Sequence, residues 1–413
     1  VPALRIVFLL IGAALATFYP FQAVILADRG FDPTAIGLVT AAASVAFTVS
    51  VPVWGHLADV RLGRTGALRI GAWASGLALV AFGAPWPLVV LAFMVLAFAW
   101  TESTLAPLSD ALAVNVLRDP ERQYPSIRLL TSLSFAIVAI ACGYLFDRTG
   151  YWPATLLYAG VAFAVGAAAS FVPDRPRADL GRLRGGRGGD PAHRAGRGGS
   201  MRVAFAVQPR LPFILVAILL VHVSVIAGFT FLGLRIIELG GNPSDVALSA
   251  GLSALAEIPG MILAGRLVGR LGLRGLFAGG AVVYAVCIAA WVVVDSPLAI
   301  VGTRVVTGFA FSAIWIAAVL TIQRLLPDRL QGTGQGLYQT TAFGIAAVVA
   351  NLAGGVIIAA AGSTGPYFAI AAAFTGSAAF VGWAALPGRR EPRPAWPGDV
   401  VAPDPTPRNV TTP

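Results

Sequence analysis

The chain has 413 residues, of which 57% are hydrophobic and only 12% charged. That balance excludes an ordinary soluble domain and points to a protein that crosses a bilayer many times. The formal net charge of +10 comes from arginine alone, because the sequence contains no lysine.

A transmembrane helix needs about 20 mostly apolar residues. Twelve stretches meet this length in chain order, at 4–26, 35–58, 66–84, 88–114, 126–146, 152–172, 211–236, 244–266, 274–294, 297–323, 334–361 and 364–386. They are longer than barrel strands and apolar on all faces, so the expected fold is an all-α membrane protein of 12 transmembrane helices. The first stretch has no small-residue cleavage site and runs straight into a second span, and is expected to be a retained helix.

The arginines report topology. Arg128 and Arg304 fall inside spans, and Arg29, Arg148 and Arg235 lie at odd-numbered loops, while all the others sit at the termini, in even-numbered loops or within one helical turn of them. This asymmetry predicts that both termini are cytoplasmic. It also excludes a nucleic-acid footprint, since the charge is distributed by sidedness and forms no patch on one domain. An arginine-only basic inventory with abundant Gly, Ala and Val suggests a GC-rich genome and so a bacterial cytoplasmic (inner) membrane.

The stretches fall into two related halves. "PVWGHLADVRLGR", with Gly55 and Asp59, is matched about 210 positions later by "ILAGRLVGRLGLR", with Gly265 and Gly269. Gly30 and Pro33 recur at the same offset as Gly240 and Pro243. Parallel repeats of this kind belong to secondary transporters, whose substrate sits between two rocking halves. The expected domains are a six-helix bundle at 1–173, a Gly/Arg-rich cytoplasmic linker at 174–210, a second bundle at 211–387 and a proline-rich tail at 388–413. One chain holds both halves, so a monomer suffices.

Cys142 and Cys287 lie in spans, and His56, His193 and His222 are dispersed, which gives no metal site, no disulfide frame and no nucleophile–base cluster. No cofactor and no enzymatic activity are expected; the proton gradient would supply the driving force. Charged groups within hydrocarbon cost about 2.5–3.5 kcal/mol each on insertion scales and are functional candidates. Glu102, Glu257 and Arg304 lie well inside their spans, whereas Asp110 and Arg128 lie nearer span ends. Helical spacing aligns Arg128 with Ser132 and Phe135, Ser249 with Ser253 and Glu257, and Arg304 with Gly308, Phe311 and Trp315. These stripes either line a polar cavity or allow close helix packing.

At these residues the chain resembles the major facilitator superfamily, within it the branch that contains lactose permease, nucleoside–proton symporters and phenylpropionate permeases. The likeness runs through "ATFYPFQAVIL", the Gly55-x-x-x-Asp59 loop, "APLSDALAVNVLRDPERQYPSIRLLTSLSFA", "LSALAEIPGMILAGRLVGRLG" and "LPDRLQGTGQGLYQTTAFG". It implies a cytoplasmic gate at Gly55, Asp59 and Arg64, and a substrate-recognising pair in Asp110 and Arg128. It further implies an aromatic substrate contact at Phe135, and a role for Glu257 in both substrate binding and proton coupling. Thr307 and Ala310 stand where lactose permease has its histidine and coupling glutamate, so that relay is not reproduced. Glu257 and Glu102, the latter outside the family pattern, remain as mid-membrane carboxyls able to take a proton from one side and release it to the other. The expected function is proton symport of a small polar organic solute (a sugar, nucleoside or aromatic acid) by alternating access. The alternative is a proton-driven drug or metabolite exporter of the same fold, and a non-transporting sensor would have no use for the central charges.

Overall fold

A computed structural model describes residues 2–117, 119–173, 197–327, 330–389 and 391. Among these residues the secondary structure is helical, and twelve spans follow one another: α1 (Pro2–Asp28), α2 (Pro33–Leu57), α3 (Gly63–Gly83), α4 (Leu88–Val116), α5 (Pro120–Thr149), α6 (Pro153–Ala169), α7 (Leu211–Glu238), α8 (243–271), α9 (273–293), α10 (Pro297–Leu325), α11 (Gln331–Ala361) and α12 (Gly365–Ala385). Each expected span is present. Most of the expected linker, 174–196, and the tail beyond 391 lie outside the described residues. The final part of the stretch read as linker is a helix, Arg197–Val207, whose Ala204 is fully buried.

The internal repeat is visible in the backbone. Gly30 and Gly240, at the matched positions, both take positive φ (92° and 84°), which glycine adopts without a Cβ penalty. Two residues later the Asp32 side chain accepts from the Ala35 amide at 2.8 Å, and Asn242 accepts from the Asp245 amide at 3.0 Å. A proline then fills the first helical position of α2 and of α8. These are the expected helix-start devices, used twice.

The spans of each repeated pair are continuous, turning only at one glycine: α2 passes to α3 through Gly63 (φ 70°), and α8 to α9 through Gly272 (φ 70°). Gly63 follows Gly55 by eight positions where Gly272 follows Gly265 by seven, and the residue thus inserted in the first copy is absorbed as a π-helical turn over Ala58–Leu62, the usual accommodation of one extra residue in a helix. At the opposite ends Arg29 donates to the Phe82 and Ala84 carbonyls at the C-terminal end of α3, while Arg235 donates to the Trp291 and Val292 carbonyls of α9 at 3.0 and 3.2 Å. Two of the odd-loop arginines thus satisfy helix C-termini.

The halves meet at the face that carries the odd-numbered turns. A Cβ on Gly37 would lie 2.4 Å from the Asn351 carbonyl oxygen, one on Gly143 2.4 Å from Ala247 Cβ, and one on Gly233 3.2 Å from Val24. Asp147 accepts the Ser244 amide at 3.0 Å across the same seam. Further along α2 and α11 the approach is looser: a Cβ on Gly344 would lie 3.6 Å from the Thr48 side chain. These cross-half contacts lie toward the odd-numbered turns; in the matched segments at the other face, a Cβ on Gly55, Gly265 or Gly269 would touch neither its own half nor the opposite one within 4 Å. One apolar core runs through the joined end, containing Phe21, Phe146 and Phe231, whereas the parted end of the first half closes on its own core of Leu4, Phe8, Leu68, Leu112 and Ile127.

Candidate functional site

Two prolines open the first half. Pro20 cannot donate a backbone hydrogen bond, and α1 passes through a 3-10 turn at Tyr19–Phe21. Pro107 is crowded against the carbonyl four residues earlier, and α4 breaks at Ser103–Thr104. The two breaks bring Tyr19 and Glu102 together: the Tyr19 hydroxyl donates to Glu102 Oε2 at 2.8 Å, and Glu102 is only 4% exposed. Phe98 packs against Phe18, Tyr19 and Tyr158 around this pair, and Tyr158 donates to Ser75 Oγ at 3.1 Å. The break itself is tied down by Ser50, which donates to Ser103 Oγ at 2.6 Å.

The expected recognition pair forms at the parted end. Arg128 Nη1 lies 3.5 Å from Asp110 Oδ1, with side chains 46% and 34% exposed. Tyr124 also bonds Asp110, and its ring meets Phe8 of α1 edge-on at 6.4 Å. Phe135 is half-buried on α5. In the gate segment Asp59 and Arg64 approach to 3.7 Å beside the open surroundings of Gly55.

The second half holds a buried cation. Arg304, 4% exposed, donates through Nε to the Ser249 carbonyl at 3.4 Å and through Nη1 to Thr307 Oγ1 at 3.2 Å. Tyr284 also bonds it, and its guanidinium lies 5.7 Å from the Trp291 ring. Glu257 on α8 is within its electrostatic reach. The seam is close because a Cβ on Gly308 would lie 2.7 Å from the Ser253 carbonyl oxygen, and Ser312 donates to the Glu257 carbonyl at 3.1 Å. Ser249 and Ser253 are buried against α10, so for those two the packing reading holds.

The structure therefore groups the candidates in separate sets: Asp110 with Arg128, Asp59 with Arg64, Glu257 with Arg304, and Glu102 with Tyr19. Tyr19 was missed in the sequence, although a proline inside an apolar span beside a polar ring marks the spot.

A family model described as MFS_1 like family matches residues 2–370. The chain belongs to this family, and so to the major facilitator superfamily. Among curated proteins it is similar to a maltose permease of Geobacillus stearothermophilus, 28% identical over 355 residues that cover 85% of this chain and 86% of that one. Among solved structures it resembles the nucleoside transporter NupG (TM-score 0.77, 14% identity, 93% of this chain and 98% of that one). It also resembles a D-xylose-proton symporter (TM-score 0.70, 14% identity, 95% of this chain and 98% of that one). The protein is a multi-pass membrane transporter of a small solute, not an enzyme.

Proposed function

We propose that the protein carries a small polar solute built on a sugar ring, a glycoside or nucleoside, by proton-coupled alternating access across a bacterial cytoplasmic membrane. The observation that carries this reading is the geometry of the two halves: sealed at one face, parted at the other, with a half-exposed ion pair at the opening and a carboxyl inside each half. Arg61, Arg64, Arg266, Arg270 and Arg274, at the described even-numbered turns, belong to the parted face, which the positive-inside rule assigns to the cytoplasm. The conformation is then inward-facing.

Each component has a chemical role in such a cycle. Arg128 offers a planar fork of donors to solute hydroxyls while Asp110 holds it in place. Glu257 carries the proton: neutralising it changes the field on Arg304, and with it the packing of α8 on α10. Glu102 is the second carboxyl able to take a proton, held by Tyr19. Asp59 and Arg64 sit where α2 turns into α3, at the end that must close when the other face opens. The names of the permease and nucleoside-transporter relatives support the solute class, and the xylose symporter supports proton coupling.

The test is uptake of labelled maltose, xylose and uridine into proteoliposomes under an imposed inward proton gradient. Uphill accumulation that collapses with an uncoupler is expected. Proton-driven extrusion of the same solutes would reverse the direction, and flux indifferent to the gradient would remove the coupling.

A further inference from the structure

At the sealed face the halves meet through two matched crossings, α5 on α8 and α11 on α2. Each is made by a glycine pressed on the proline that starts the facing helix. A Cβ on Gly143 would lie 3.0 Å from the Pro243 carbonyl oxygen, and one on Gly355 2.7 Å from that of Pro33. The two helix starts are also alike. Pro243 and Pro33 have no N–H to offer, and the third helical amide is taken in each copy by the residue before the proline, Asn242 for Asp245 and Asp32 for Ala35. The second amide, of Ser244 in one copy and Thr34 in the other, lies outside both caps, one of the first-turn donors that a helix cannot satisfy from within.

The copies part at this amide. Asp147, one helical turn beyond Gly143, accepts the Ser244 amide at 3.0 Å from across the seam. Ser244 is buried, with its own hydroxyl turned back to Asn242 Oδ1 at 2.7 Å. One turn beyond Gly355 stands Ala359, whose side chain has no acceptor, and Thr34 is exposed to solvent. A carboxylate on a helix N-terminus is favoured by the charge-assisted hydrogen bond and by the helix dipole together. Because donor and acceptor belong to different halves, the bond exists only while this face is shut, and a contact present in one of two states biases their equilibrium by its own free energy.

We propose that Asp147 is a one-sided latch, a positioning residue that holds the sealed face closed through the start of α8. The matched α11–α2 crossing carries no such hold at its helix start. Its polar tie is a neutral one a turn further in, Asn351 Nδ2 to Ser44 Oγ at 3.4 Å. The duplicated seam is thus locked by charge at one edge and only packed at the other. The proposal rests on the alternating-access reading above, since it needs a second state in which this face opens, and it names the residue that sets the balance between the two states.

The experiment measures the distance across the sealed face in the full chain in nanodiscs, by pulsed electron spin resonance between labels at Val89→Cys and Leu298→Cys, with Cys142→Ser and Cys287→Ser. Val89 and Leu298 lie near the starts of α4 and α10 at that face, and both are exposed. The parent should show mainly the short distance. Asp147→Ala makes the α5 edge like that of α11 and should raise the ratio of long to short distance about fivefold or more. Asp147→Asn keeps an oxygen acceptor and should fall between the two. A lower thermal midpoint in Asp147→Ala with an unchanged ratio assigns Asp147 to fold stability and overturns the latch. An Asn variant no closer to the parent than the Ala variant overturns the hydrogen bond as its cause. Uptake in liposomes is followed on the same proteins: an unchanged ratio with uptake intact overturns the latch alone, whereas one short distance in every variant without any uptake overturns alternating access as well.

Discussion

The two halves share an ancestor in sequence and backbone, yet they hold their buried carboxyls differently. In the first half Glu102 sits where two proline-broken helices cross and receives its hydrogen bond from a neutral phenol, Tyr19. In the second half Glu257 lies on a tight glycine seam between α8 and α10, within reach of the buried cation Arg304. Protonating Glu102 alters one pocket. Protonating Glu257 leaves Arg304 with less compensation and changes the forces across a helix–helix seam, which is what coupling to a conformational change requires. The duplicated frame has thus been kept in its geometry, while its charges have diverged into one carboxyl held by a neutral phenol and one set near a buried cation.

The largest effect that would sharpen this contrast is at the opening. Arg128→Lys should reduce uptake by about two orders of magnitude or more, because a point charge cannot replace the fork. The half-exposed pair contributes only about 0–1 kcal/mol, so the variant should stay folded and inserted; a fully active Lys variant would remove Arg128 from recognition. Next, Arg304→Met strips the donor from the buried Ser249 carbonyl, Thr307 and Tyr284 and should cost about 1–3 kcal/mol, read as a lower thermal midpoint in detergent. If that variant melts like its parent, the second half does not depend on the buried cation.

In the first half, Tyr19→Phe should cost about 1–3 kcal/mol by stripping the donor from Glu102, and the double change Tyr19→Phe with Glu102→Leu should recover much of it, since removing both partners is far cheaper than removing one. Failure of the double variant to recover would show that Glu102 has a further partner. The smallest effect lies outside the spans. The Gly388 amide, followed by Arg210, holds the Glu391 carboxyl below the usual range. Its contribution is present above the ordinary glutamate range and lost as pH falls through the lowered folded value. Glu391→Gln should therefore melt slightly lower than the parent at neutral pH and converge with it in acid.

Much of this was legible in the sequence because hydrocarbon imposes one strong rule: apolar length gives helices. All twelve spans and the Gly30 and Gly240 turns follow from residue type and spacing, and the Asp110–Arg128 pair follows from the family resemblance. The inserted residue before Gly63 was visible, but its resolution as a π turn was not, since a helix can absorb an extra residue in several ways. Pairings across the bundle were hidden. Nothing in one dimension puts Tyr19 beside Glu102, or Tyr284 beside Arg304. Ser249 and Ser253 share a stripe with Glu257, yet they face the glycine seam, because helical period gives a side of a helix and not what packs on it.

The most direct test of the central claim compares Glu257→Gln with the unmodified protein in proteoliposomes, measuring both uphill accumulation under a proton gradient and solute exchange at equilibrium. Loss of accumulation with exchange retained is predicted, because the proton site is gone while the path between the halves remains. Accumulation equal to that of the unmodified protein would contradict the account.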